Sequence, residues 1–569
     1  MSKSTSKNIG FLAGIGVLMV ALIGGGIVLT KNIGKSNQEV TRENAIAQLD
    51  KKLKKIQIFE SQPRKAAVEI AESNLAAELP DINKYPLSVT GRGSVNIEIF
   101  SSTEKSSSGT DGWLNEVAEK FNSSRYEIDG QWATVSVRPI ASGAAIDYII
   151  SGKYIPEAYS PSNELWGEMI AAENVKIEMI EKRLAGNTAG ILVNKKTYDQ
   201  LQQDYGKVDI TSVVDATVQS KITTGYTNPY ASSTGMNFLT AALEEFDSAD
   251  ILSQTATEKF RKFQQNVPFV AYTTLQMRDA ASKGVLDAFL MEYQGYYNVR
   301  GELRDYEYIP FGVRHDSPLY VLGDEVTGAQ KQLAKAFAEY CLTSECQSMA
   351  KKYGFNYEEE YQSAQWGLDG KTLESAQKLW KTEKDAGSPV MAVFVADVSG
   401  SMAGVPLQNL QSSLVNASQY INETNYVGLI SYSDDVTINL PIDRFDLNHR
   451  SYFTGAVEDL SPTGSTATND AILVAVNMLK EEQEKIQAET GQTIKPLIFV
   501  LSDGATNTGN TLKDITPILE GMKIPCYTIG YNADLDELKK ISSINEAASI
   551  NADSEDVIYS LKSLFNAQM

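Results

Sequence analysis

Apolar and polar positions change period several times along this chain, and each change marks an element. Residues 9–30 form an uncharged, largely apolar run of 22 residues, long enough to cross a bilayer as a helix. Residues 46, 49, 53 and 56 are then apolar at spacings of three and four, with Lys51, Lys52, Lys54 and Lys55 between them. That spacing predicts an amphipathic helix ended by Pro63. From about 89 to 357 the period alternates. Val95-Asn-Ile-Glu-Ile-Phe100 reads as a strand, residues 113–121 as a helix, Ala133-Thr-Val-Ser-Val-Arg138 as a strand, and Ala141-Ser-Gly-Ala144 opens another helix. Strand, small-polar loop, helix is the rhythm of a parallel α/β sheet. Residues 368–385 return to a helical pattern, with Leu373, Ala376, Leu379 and Trp380 on one face, and Gly387-Ser-Pro389 breaks it.

Beyond that break, Met391-Ala-Val-Phe-Val-Ala396 and Pro496-Leu-Ile-Phe-Val-Leu501 are continuous apolar runs, the form of strands buried on both faces. Helices are expected at 407–423, 471–485, 512–522 and 554–565. Strands are expected at 525–529 and 547–550, and 426–432 with 436–440 should make an antiparallel edge pair joined through Asp434 and Asp435.

The first of these apolar runs ends in Asp397-Val-Ser-Gly-Ser401, and the second in Ser502-Asp503-Gly504. Between them Ser461-Pro-Thr-Gly-Ser-Thr466 is a turn-rich loop ahead of a helical pattern. Hard divalent cations prefer oxygen ligands, and Asp-x-Ser-x-Ser supplies three from one loop. The three segments in this order resemble the metal-ion-dependent adhesion site of von Willebrand factor type A domains, which also occur in integrins. The resemblance covers roughly 387–569. It implies a doubly wound, Rossmann-like domain in which Asp397, Ser399, Ser401, Thr466 and Asp503 bind Mg²⁺, or Mn²⁺ or Ca²⁺. It also implies a protein partner that presents an acidic residue to the ion.

The 89–357 pattern resembles bacterial extracytoplasmic solute-binding proteins of the two-lobed periplasmic type II fold. Residues 189–198 look like that family's crossing strand, Asn228-Pro-Tyr-Ala-Ser-Ser-Thr-Gly235 like its second-lobe helix-start loop, and 334–355 like its closing helices. In open sheets of this kind, ligands sit beyond the carboxyl ends of the strands, where helix N-termini offer free N–H groups. Candidate ligand contacts are therefore Ser102, Thr103, Ser142, Gly143, Ser232, Ser233 and Thr234, with Tyr159, Glu292 and Tyr293 in reach. Glu292 disfavours a simple oxyanion. Both a small molecule and a protein determinant fit such a cleft.

At 569 residues the chain exceeds a single core, and several domain-sized units are expected. The expected division is a short cytoplasmic head and transmembrane anchor at 1–36, a helical juxtamembrane stalk at 37–88, the solute-binding-like domain at 89–366, a helical linker at 367–388 and the type A domain at 389–569. The amphipathic segment suits a stalk pairing with a second copy, a helix lying on headgroups, or one packing on its own domain. Lys3 and Lys7 precede the apolar run, as in a signal peptide. The run is longer than a typical signal core and no Ala-x-Ala site follows, so an uncleaved anchor is expected, with the bulk of the chain extracytoplasmic. A net charge of -21 argues against nucleic acid as a partner. Cys341 and Cys346 could pair or remain two buried thiols. His315 and His449 are the only histidines, with no nucleophile elbow or phosphate loop, so no enzyme is expected. The function expected is a membrane-anchored binding or adhesion protein. The alternatives are a cytoplasmic scaffold working with an AAA+ ATPase and the solute receptor of a transport system.

Overall fold

In a computed structural model of the chain, the residues described are 41–68, 75–267, 269–271, 286–385, 389–492, 494–504, 506–531, 536–544, 549–552, 561, 564, 565, 568 and 569. Two compact units emerge, one combining Met1–Ser73 with Gly387–Met569 and the other formed by Asn74–Ala386. The proposed anchor at 9–30 lies outside the described residues, and no helix among those described is long and apolar enough to cross a membrane. Most of the helix expected at 554–565 lies outside them as well.

The first unit is a doubly wound sheet with Val390–Asp397 at its centre, every residue of that strand buried. Tyr426–Tyr432 and Lys495–Ser502 flank it in parallel. Cys526–Tyr531 and Ser549–Ala552 extend the sheet on one side. Alternation splits the central strand between two cores: Phe394 packs with Phe453, Phe499 and Phe565 on one face, while Val393 and Val395 join Ile498, Val500 and Leu473 on the other. Covering both faces explains why these strands read as unbroken apolar runs.

One expectation is corrected here and one left open is decided. The strand Val436–Arg444 does pair antiparallel with Tyr426–Tyr432, but it is not the edge. Ile58–Glu60 adds alongside it in parallel, Ile58 opposite Val436 and Glu60 opposite Ile438. Of the fates open to the amphipathic segment, packing on its own domain is the one observed, while the end of the expected stalk, from Asn74 on, belongs to the other unit. Thr41 caps a helix over Arg42–Leu53, whose Ala45 and Leu49 are buried in the second core, with Ile46, Leu53 and Ile56 packed against it. Lys52 reaches Asp514 on the helix Leu512–Met522 at 2.7 Å. The apolar stripe is spent on the chain's own domain, and the helix stops well short of Pro63.

The second unit has two lobes. The first holds a six-stranded sheet, in the spatial order Glu127–Ile128, Gln131–Pro139, Val95–Ser101, Ala158–Ser160, Leu319–Leu322, Ile177–Glu181. The second holds a five-stranded sheet, in the order Tyr306–Arg314, Thr188–Asn194, Ala288–Glu292, Thr224–Thr227, Phe269–Ala271. The chain passes between lobes after Glu181 and returns after Arg314. The helix expected as an interdomain linker runs Gly370–Glu383 and is part of the two-lobed unit: its start rests on the first-lobe helix Leu165–Ala172, where a Cβ at Gly370 would lie 2.3 Å from Glu168 O, and its later turns enter the second lobe. Ala376 and Trp380 are buried in that lobe's core, the Trp380 indole donates to Tyr226 Oη at 2.6 Å, and Glu383 pairs with Arg261. Its amphipathic pattern announced a buried face without naming what covers it. Cys341 and Cys346 are both free, buried thiols.

Candidate functional site

Strand register sets the first site. Ala396 lies opposite Leu501 in the parallel pair, and Asp397 opposite Tyr432. Asp397, Ser502 and Tyr432 therefore reach the carboxyl edge of the sheet together. Asp397 is fully buried, and its two oxygens are held apart in role. Oδ1 accepts the Ser399 N–H at 2.8 Å, and Oδ2 accepts the Ser502 hydroxyl at 2.6 Å. Ser399 Oγ lies 3.0 Å from Ser401 Oγ, which donates to Asp503 Oδ1 at 3.0 Å.

The middle loop is tied to the same floor. Gly400 N–H donates to Gly464 O at 3.0 Å, and Thr463 N–H to Val398 O at 2.7 Å. Thr466 is fixed by Asn507 of the third loop, whose side chain accepts the Thr466 N–H at 2.9 Å and donates to its hydroxyl at 3.4 Å. The five residues singled out in the sequence thus sit on three interlocked loops, running from buried Asp397 to exposed Ser401. Burial pushes the Asp503 carboxyl up, and the Asp397 charge pushes it the same way. A cation among these oxygens would relieve both effects. Two carboxylates with three hydroxyls are a hard-oxygen set that suits Mg²⁺, Mn²⁺ or Ca²⁺.

The second site is the cleft between the lobes, where four of the predicted contacts, Ser142, Gly143, Tyr159 and Ser233, come together. Ser233 Oγ donates to Ser142 Oγ at 3.1 Å and accepts the Trp166 indole N–H at 2.8 Å. Gly143 N–H donates to Ala231 O at 3.2 Å. A Cβ at Gly143 would lie 1.9 Å from Tyr230 O, so only glycine permits this approach. Tyr159 Oη donates to Ser142 O at 3.0 Å. Ser102 Oγ accepts from Lys105 Nζ at 2.6 Å. Thr103 stands half-buried at the start of its helix. Ser232 caps the helix Ser233–Phe246 through the Gly235 N–H and is not part of the cluster.

Glu292 is consumed by the scaffold rather than left for a ligand. Its carboxylate accepts from Asn187 Nδ2 at 2.8 Å, from Thr234 Oγ1 at 3.4 Å and from His315 Nδ1 at 2.7 Å. The tautomer follows from the partners on the other ring nitrogen. Asn163 and Asn237 present their amide nitrogens to Nε2 at 3.0 and 3.1 Å, while their oxygens accept from the backbone of Leu165 and Val313. Nε2 is therefore the acceptor, and Nδ1 carries the proton toward Glu292. Tyr293 lies outside this cluster, among other tyrosines.

Sequence reasoning missed Lys105, His315 as a cleft residue, and Trp166. Lys105 is fully buried, and its ammonium donates only to neutral acceptors: Ser102 Oγ, Ser160 O at 2.8 Å and Pro161 O at 3.2 Å. Burial pushes it down to about 8, against the pull of Glu104 and Glu292. The available signal was the i, i+3 spacing of Ser102 and Lys105 at a strand end. Ser502 and Asn507 were missed too, although Ser502 directly precedes Asp503.

Residues 392–567 match the family model of the von Willebrand factor type A domain. Residues 106–356 match that of the bacterial extracellular solute-binding protein. Both are binding modules rather than typical enzymes. Inter-alpha-trypsin inhibitor heavy chain H3 of Bos taurus is 29% identical over 155 residues, covering 26% of this chain and 17% of that protein. The voltage-dependent calcium channel subunit alpha-2/delta-4 of Homo sapiens is 27% identical over 188 residues, covering 31% of this chain and 16% of that protein. The chain thus spans about a sixth of the length of such curated relatives. Among solved structures, the sulfate-binding protein SubI from Mycobacterium tuberculosis H37Rv aligns with 47% of this chain and 88% of its own, at 12% identity and a TM-score of 0.34.

Proposed function

We propose, from the premise of a von Willebrand factor type A domain and a solute-binding domain on one chain, that this protein is a membrane-anchored extracytoplasmic receptor. Its type A domain engages an acidic side chain of a protein partner through a divalent cation. Asp397, Ser399, Ser401, Thr466 and Asp503 would hold the ion, Mg²⁺ by preference, with Mn²⁺ or Ca²⁺ as substitutes. The observation that supports this reading is the interlocking of three loops into one oxygen-lined floor, buried at Asp397 and open at Ser401. When bound, the ion supplies an electron-poor centre that attracts a carboxylate. Asp397 anchors the floor through Ser399 and Ser502, and Asn507 keeps Thr466 turned to it.

The test is thermal stabilisation by Mg²⁺ in the full chain and in Asp397→Ala. Ligand linkage predicts about 2.7 kcal/mol at a hundredfold excess over the dissociation constant, lost in the variant. An equal response in both proteins would remove the site.

The run at 9–30 provides the anchor in this reading, with 31–569 outside the cytoplasm. Protease treatment of intact cells should remove the type A domain. Protection would favour the cytoplasmic scaffold beside an ATPase. The cleft serves a small polar ligand: among the described residues Ser160 Oγ and Asn228 Nδ2 are buried without hydrogen-bond partners, and Ser160 adjoins the Lys105 ammonium, which donates to its carbonyl. A thermal-shift screen of small metabolites tests this, and a tight solute would favour the transport-receptor reading.

A further inference from the structure

The helix Gly370–Glu383 touches both lobes of its unit, and its two ends are built differently. Its start lies on the first-lobe helix Leu165–Ala172. A Cβ at Gly370 would come within 2.7 Å of the Met169 Cα and the Ala172 Cβ, so the two backbones meet with no room for a side chain. Its later turns are keyed into the second lobe. Gln377 Nε2 donates to Pro229 O at 2.9 Å, and the Trp380 ring lies 5.9 Å from that of Tyr230. The Arg261 guanidinium donates to both oxygens of Glu383 at 2.6 and 2.9 Å, and Gln264 Nε2 donates to Lys384 O at 3.0 Å.

These contacts fall on the two elements that meet at the cleft. Pro229 and Tyr230 belong to the loop that offers Ala231 O to the Gly143 N–H, and Leu165–Ala172 carries Trp166, whose indole donates to Ser233. One helix thus grips a cleft element of each lobe. The second-lobe grip is buried at Trp380, whereas the first-lobe grip is crowded with like charge. Lys371 pairs with Glu173 and lies 3.3 Å from Glu374. Burial holds the Glu168 carboxyl above its usual range, and the charges of Glu164 and of Asp369, which caps the helix, push it the same way. An exposed lysine therefore bridges a junction at which acids of the helix face acids of the first lobe. Such a junction parts more readily than an indole buried in a core.

We propose that Gly370–Glu383 is a strap across the lobes, anchored in the second and releasable from the first, and that the cleft opens when its first turns lift off Leu165–Ala172. While the strap is seated, one rigid element holds both sides of the lobe contact, and the lobes part only by breaking that grip. The strap acts whatever solute the cleft takes.

Hydrogen exchange of the full chain, read by mass spectrometry, tests this at the Gly143 amide, which donates across the lobe contact. Lys371→Glu sets like charges on both sides of the junction, and an acidic residue in the first turn suits the helix dipole, so the helix itself is kept. It should speed exchange in peptides containing Gly143 roughly two- to fivefold. Adding Glu173→Lys reverses the pair and should restore the parent rate. Gly370→Val forces the backbones apart and should speed the same amide roughly five- to a hundredfold. In every variant the core strands Val95–Ser101 and Thr188–Asn194, one from each lobe, should exchange as in the parent. Unchanged exchange at Gly143 in Lys371→Glu and in a folded Gly370→Val would overturn the proposal. So would equally faster exchange in both core strands, which would make the helix a general stabiliser, or a charge swap that leaves Lys371→Glu uncorrected.

Discussion

Leu49→Ala distinguishes an integral N-terminal arm from a stalk. Leu49 is 0% exposed and sits in the core shared by the central strand and the helices over it. Truncating a leucine so placed costs about 2–5 kcal/mol, from lost transfer energy and the cavity left behind. In a folding unit of 150–250 residues each kcal/mol lowers Tm by roughly 2–4 °C, so a fall of roughly 4–20 °C is expected. Lys52→Ala should add ~1 kcal/mol or less, because its pair with Asp514 is partly exposed. The five tryptophans, Trp113, Trp132, Trp166, Trp366 and Trp380, all fall in the other unit. Tryptophan fluorescence therefore follows that unit alone, whereas calorimetry follows both. Leu49→Ala should move a calorimetric transition that is silent in tryptophan fluorescence. No shift, or a shift confined to the fluorescent transition, would refute the packing argument.

Three further outcomes are expected. Trp380→Ala should destabilise the fluorescent unit by about 3–5 kcal/mol and leave the silent transition in place; an unchanged melt would make Gly370–Glu383 a free linker. Lys105 has a folded pKa pushed down to about 8 from an ordinary 10.5, so between these values the unfolded chain binds the extra proton. Stability of that unit should therefore rise with pH across the window relative to Lys105→Met, and parallel urea profiles of the two proteins would refute it. Gly143→Val inserts a branched side chain where Tyr230 O already lies 1.9 Å from a Cβ. It should hold the lobes apart and raise the radius of gyration in small-angle scattering, and an unchanged radius would place the lobe contact elsewhere.

What was legible in the sequence was local or periodic. Asp397, Ser399 and Ser401 share one loop at the end of an apolar run, so their convergence needed no tertiary knowledge. Thr466 and Asp503 came from the resemblance of the three segments, in their order, to the metal-ion-dependent adhesion site of type A domains. The cleft was only half legible. Small polar residues at helix starts were visible, but nothing local says that Ser142 meets Ser233, or that Glu292 is exhausted by Asn187, Thr234 and His315. Ile58–Glu60 escaped because three exposed residues carry no period, and its partner lies far along the chain. Trp380 was seen on an apolar helix face, yet a hydrophobic stripe does not name the core that covers it.

The N-terminal arm joins its partner strand only after the whole central unit has been synthesised. Residues 61–435, the whole of the unit Asn74–Ala386 among them, intervene between Ile58–Glu60 and its partner strand. At roughly 5–20 residues per second, Ile58 and Phe59 must wait on the order of tens of seconds for Val436 to leave the ribosome. During biogenesis the apolar stripe of Ala45 and Leu49 therefore stays uncovered until the core that receives it has been made.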